Sequence, residues 1–113
     1  MERQSATPFD DTVSCDLFRM EGTIDAQSEV LLKEIPAKVS HNLVRFDFSR
    51  AGRINSLGIA LLLRCFKEIR ETKKAEIRLD GMTHMHTMLF KMTGVFLLAT
   101  PGDPAANGKG ARA

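Results

Sequence analysis

Phe46-Asp47-Phe48-Ser49-Arg50-Ala51-Gly52-Arg53-Ile54-Asn55-Ser56-Leu57-Gly58-Ile59-Ala60-Leu61-Leu62-Leu63 is the stretch on which the fold turns. Its opening alternates apolar and polar residues and reads as the end of a strand that finishes in an acid. Leu43, Arg45 and Asp47 fall on one side, with Val44, Phe46 and Phe48 on the other. A short basic turn follows, and Asn55-Ser56 then opens a strongly apolar helix. The hydroxyl of Ser56 is thereby placed where strand has become helix, beside backbone N–H groups that the helix cannot satisfy. Such a hydroxyl either caps the helix or is a place where a phosphate is added and removed.

The rest of the chain builds outward from this unit. The helix from Ser56 to about Thr72 carries Leu57, Ala60, Leu61, Leu63, Arg64, Phe66 and Ile69 around a broad surface. That arc is wider than a single stripe and implies burial against a sheet with a further element beside it. Glu76 to Asp80 is a further strand, closed by Gly81. Thr83 is an N-cap candidate, with Met85, Met88, Leu89 and Met92 at helical spacing before Gly94 stops the helix. Val95 to Ala99 reads as a last short strand. Upstream, Val13 to Glu21 reads as a strand and Gly22 as a turn or bulge before a second extended piece at Thr23-Ile24-Asp25. A helix is expected from about Ala26 to Ser40, with Val30, Leu31, Ile35 and Val39 on its stripe and a break or kink at Pro36. Strands alternating with helices from residue 42 onward predict βαβ units and a largely parallel central section. The two opening strands, joined by a short turn, are expected to be antiparallel.

At 113 residues, with 43% hydrophobic and 27% charged, the chain is one ordinary globular domain. Residues 1–11 read as a flexible leader, 12–100 as the domain, and 101–113 as a disordered tail rich in Gly, Pro and Ala. A net charge of +2 gives no basis for nucleic-acid binding, and Arg45, Arg50, Arg53 and Arg64 are scattered over different elements. The longest strongly apolar run, Ile59 to Leu63, is too short to span a bilayer, and the start of the chain has no apolar signal core. A cytoplasmic protein that does not insert into membranes is expected. Cys15 and Cys65 form no Cys-x-x-Cys pair and read as reduced, largely buried thiols.

The pattern of a strand ending in Asp47, a short loop, and Asn55-Ser56-Leu57-Gly58 leading an apolar helix resembles the signature of STAS domains, the family of bacterial anti-sigma factor antagonists. Gly22-Thr23-Ile24-Asp25 and Leu79-Asp80-Gly81 resemble further pieces of that family, over about residues 13–99. The resemblance implies an α/β STAS fold, a small mixed β-sheet with helices packed mainly on one face. It also implies that Ser56 is the phosphoacceptor of a protein-binding switch in a partner-switching pathway. An anti-sigma-type serine kinase would phosphorylate it and a metal-dependent Ser/Thr phosphatase would reverse the step, with the protein acting as a monomer. Asn55 stands where the family usually has Asp. Another branch of the resemblance is a STAS subunit docked on the ATPase of a lipid-transport ABC system.

Around Ser56, the partner-binding set is expected to comprise Asp25, Arg50, Arg53, Asn55, Leu57 and Gly58. For Arg50 and Arg53 the alternatives are solvated loop charge, or contact with an acidic partner or a phosphate on Ser56. Asp25 either ends its strand or lies near the partner surface. His84 and His86 are i and i+2, which on a helix point about 200° apart and do not share one ion, so solvated or capping histidines are expected. The methionines at 82, 85, 88 and 92 fit core spacing better than an adaptable surface. No Gly-rich phosphate loop and no nucleophile–His–acid set is apparent, so the expectation is a binding protein without cofactor rather than an enzyme.

Overall fold

A computed structural model describes residues 14–102; the expected leader and nearly all of the expected tail lie outside them. Four strands, β1 (Cys15–Ile24), β2 (Leu43–Ile54), β3 (Glu76–Asp80) and β4 (Thr100–Pro101), form one sheet in the order β1-β2-β3-β4. Helices α1 (Glu29–Lys38), α2 (Ser56–Glu68) and α3 (His84–Thr93) make the three crossovers. Every strand pairing among the described residues is parallel. The α/β class is as expected, but the antiparallel opening pair is not formed. Gly22, at φ +72°, keeps the chain extended through an irregularity, so the two expected pieces are one strand.

Alternation along β2 decides which face is covered. Val44, Phe46 and Phe48 are buried, as are Ile77 and Leu79 on β3. Phe46 meets Phe66 of α2 edge-on with ring centroids 4.8 Å apart, and Phe48 meets Phe90 of α3 in the same way at 5.3 Å. Two residues of one parity thus touch two different helices, which places both helices on the same side of the sheet, as expected. The opposite face carries cross-strand ion pairs. Arg45 grips Asp80 with two hydrogen bonds, at 2.9 and 3.3 Å, and Arg19 lies 3.4 Å from Asp47.

Four local expectations are corrected. In α1 the buried positions are Leu32, Ile35 and Pro36, followed by Val39, whereas Val30 and Leu31 face outward. Pro36 lies inside α1, which ends two residues later at Lys38, and its carbonyl accepts from Val39 N–H beyond the helix at 3.3 Å. Val95–Leu97 is a 3-10 turn after the left-handed Gly94, and the closing strand is instead Thr100–Pro101, one residue past the expected domain edge. Met85, Met88 and Met92 are exposed rather than core, because His86 and Phe90 occupy the inward face of α3. Finally, the expected basic turn after Phe48 is strand: β2 runs on to Ile54, paired with β1 alone beyond Asp47 among the described strands.

Candidate functional site

The extension of β2 delivers Ser56 to its place. Between Asp47 and Ile54 the strand takes two more residues than its partner does between Arg19 and Ile24, with breaks in register at Arg19/Glu21 and Gly22/Ile24. Such bulges bend and twist a strand and re-aim its side chains. The strand ends with Ile54 opposite Ile24, both buried. The next amide, Asn55 N–H, donates to the Ile24 carbonyl at 3.2 Å. The start of α2 is therefore fastened to the carboxyl end of β1, where open parallel sheets commonly place their sites.

Asn55, not Ser56, caps the helix. Its Oδ1 accepts from Gly58 N–H at 2.8 Å, and its own carbonyl accepts from Ile59 N–H at 2.9 Å. Ser56 is the first helical residue, exposed, with its hydroxyl free of capping duty. The capping alternative for Ser56 is thereby corrected, and the role passes to its neighbour. Leu57 stands 46% exposed beside it. Gly58 is buried, and a Cβ there would overlap the Ile24 carbonyl oxygen. It presents no side chain to a partner and serves to let α2 close on β1.

Asp25 follows Ile24 directly and caps the 3-10 turn Ala26–Ser28. It accepts from Gln27 N–H at 3.0 Å, and its own N–H donates to Ser28 Oγ at 3.2 Å. Asp25, Asn55, Ser56, Leu57 and Gly58 thus share one corner of the molecule. Arg53 reaches it at the last bulge. Arg50 does not: it sits opposite Glu21, four strand residues before Ile54, which is roughly 13 Å of chain. Both arginines are exposed and belong to a strand rather than a loop. The first turn of α2 itself contains no acid that would offset the positive end of the helix.

His86 supports the corner from behind. It is 3% exposed, stacked near Phe90 and tilted against Phe48. Its Nδ1 accepts from Thr83 N–H at 3.3 Å, while Thr83 Oγ1 accepts from His86 N–H at 3.1 Å, completing a capping box. Nε2–H donates to the Gly52 carbonyl at 2.8 Å. The ring is thereby fixed as the neutral Nε2–H form, and it ties α3 to the bulged end of β2. The capping role was readable from Thr83 three residues ahead; the link to Gly52 was not. Exposed His84 is the partner of nothing comparable, and the described residues contain no group of three or more metal-ligating side chains.

At the opposite, amino end of the sheet, Asp16, Ser40 and His41 come together, a cluster not apparent in the sequence. The Asp16 carboxylate accepts from the N–H groups of Ser40 (2.8 Å) and His41 (2.9 Å), and from Ser40 Oγ (3.2 Å). Burial raises its pKa, but these bonds and the His41 ring outweigh that and hold it below the ordinary carboxylate value. A serine–histidine–acid relay needs the serine and the acid on different ring nitrogens. Here both lie on His41 Nδ1, at 3.2 and 3.1 Å. The cluster is a pin between the α1–β2 connection and β1. A shallow cleft of about 370 Å³, lined by Ser14, Ser40, His41, Asn42 and Leu43, lies beside it, far from Ser56. Cys65 is a buried free thiol whose pKa is pushed up to about 12 by burial and then by Glu68, and Cys15 is half-buried.

No protein-family model matches the chain, and no curated protein matches it by sequence. Solved structures do match it. A sulfate transporter family protein from Wolinella succinogenes superposes with a TM-score of 0.69 at 13% identity, over 88% of this chain and 87% of that one. The anti-sigma factor antagonist SpoIIAA in its unphosphorylated form superposes with a TM-score of 0.63 at 16% identity, over 88% of this chain and 89% of that one. With its four-stranded sheet, its helices on one face and these two likenesses, the chain has the STAS fold.

Proposed function

We propose that this protein is a phosphorylation-controlled binding module of the anti-sigma factor antagonist type, acting by binding rather than catalysis in a bacterial partner-switching pathway. One observation carries the reading: Ser56 is exposed at the first position of α2 with its hydroxyl unused, because Asn55 makes the cap. In this account an anti-sigma-type serine kinase transfers the γ-phosphoryl group of ATP to Ser56 Oγ in the cytoplasm. A metal-dependent Ser/Thr phosphatase removes it, and the protein is a monomer between encounters.

The charge logic supports this assignment. A phosphate adds about −1.5 to −2 charges. At the N-terminus of α2, with no acid in its first turn, that charge is tolerated by the free domain. A partner seated on the same corner must instead enclose it, at a desolvation cost of several kcal/mol unless a cation faces it. Leu57 offers the apolar contact, and Asp25, Asn55 and Arg53 form the polar rim. Arg50, further back along β2, extends the rim toward Glu21 and is too distant to hold the phosphate itself.

A second reading is a domain docked on a transport system, such as the ATPase of a lipid-transport ABC system. The likeness to a sulfate transporter family protein favours it, and it gives Ser56 no task. The test is to incubate the full chain with an anti-sigma-type serine kinase and Mg-ATP and to locate phosphate by peptide mass spectrometry. Phosphate on Ser56, absent in Ser56→Ala, is expected. No incorporation, or incorporation elsewhere, sinks the switch and moves the transport-docked reading ahead.

A further inference from the structure

The outward face of α3 is apolar. Met85, Met88 and Met92 are 65%, 47% and 78% exposed. They recur at i, i+3 and i+7 and so form one stripe along the helix. The inward face is already filled by His86 and Phe90 against Phe48, so the methionines have no place in this domain's own core. Leu97, 86% exposed in the following 3-10 turn, lies close to Gly94, where a Cβ would stand 3.7 Å from its Cδ1. Apolar surface therefore runs from the first turn of α3 to just past its end.

The segment that carries this stripe is free of acids. From Thr83 to Gly102 the sequence contains no Asp or Glu, while His84 and Lys91 are exposed. A second copy docking face to face would set this acid-free segment against itself, since a two-fold contact presents the same patch on both sides. The geometry points to the α3 stripe as the docking surface for a different protein, one presenting apolar side chains flanked by carboxylates, such as an acidic amphipathic helix. Unbranched thioethers adapt to such a surface, and Lys91 meets its flank. His86, bonded to the Gly52 carbonyl, sets the first turn of α3 against the strand that ends two residues later at Ile54. The surface exists whether or not Ser56 is modified.

The test uses the full chain with ¹³C-labelled methionine methyls, titrated with three probes and followed by NMR. One probe is a synthetic helix of about 18 residues with leucines on one face and glutamates on both flanks. The second has lysine in place of each glutamate, and the third is vesicles of phosphatidylcholine with a minority of phosphatidylglycerol. The methyls of Met85, Met88 and Met92 are expected to shift with the glutamate helix, while buried Met20 stays in place. Both the lysine helix and the combined Met85→Gln, Met88→Gln, Met92→Gln form should bind at least tenfold more weakly, the latter with an unchanged melting temperature. No shift with the glutamate helix, or equal binding of the two helices, overturns the proposal. So does a response to vesicles alone, which assigns the face to lipid, or a shift that follows protein concentration without any probe, which assigns it to a second copy.

Discussion

At the scale of single residues, the corner separates fold from function within four positions. Asn55→Ala removes the bond to Gly58 N–H and should lower stability by about 1 kcal/mol, or roughly 4–8 °C in melting temperature. Ser56→Ala removes an exposed hydroxyl that caps nothing and should change stability by no more than about 0.5 kcal/mol. Thermal melts of the two variants check the assignment directly; equal losses would return the cap to Ser56. Gly58→Ala places a methyl on the Ile24 carbonyl and should cost about 2 kcal/mol, more than the gain in helix propensity returns. Asn55 and Gly58 stand in a sequence pattern that marks the corner, yet only the carbonyl of Ile24, thirty-odd residues earlier, explains why the glycine is there. A sequence read locally shows that a small residue is used and not what approaches it.

Among the elements, those built from local signals were legible and those defined by a distant partner were not. Thr83, the periodic residues behind it and Gly94 delimit α3 by capping chemistry alone, and β3 is closed by Gly81 as expected. Ser49 to Arg53, polar and glycine-containing, reads as a turn; it is strand because β1 lies alongside to pair with it. The methionine spacing gave the right helix and the wrong face, since a buried histidine and Phe90 outcompete methionine for the core side. Two predictions belong here. His86→Leu keeps the apolar packing but leaves Gly52 without its donor; it should cost about 1–3 kcal/mol and shift the amide resonances of Gly52 to Ser56. If only resonances within α3 move, the link to β2 is of no consequence. The Asp16 pin gives a pH signature. Its folded pKa is depressed, so the unfolded state binds more protons in the acid range, and its contribution is complete above the unfolded value near 4 and is lost as pH falls through the lower folded value. Asp16→Asn should therefore lose stability at pH 7 and show a flatter stability profile below pH 4 than the unmodified chain. Parallel acid titration of the two would expose this step as a difference, and superimposable profiles would deny it.

For the whole molecule, the account predicts that folding and binding respond differently to charge at one point. The sheet, the α2 and α3 helices and the Ile24 contact are all in place with Ser56 unmodified, and the hydroxyl lies outside that packing. The class of fold was readable from the order of strands and helices, whereas the partner was not, because a binding surface is complementary to something the chain does not contain. The most direct test begins by capturing the partner with the Ser56→Ala form. Its affinity is then measured calorimetrically for two full chains, one unmodified and one carrying phosphoserine at position 56, alongside thermal melts of both. The account predicts melting temperatures that agree closely and an affinity at least tenfold lower for the phosphorylated chain, a difference of about 1.4 kcal/mol or more. Equal affinities for the two chains would contradict it.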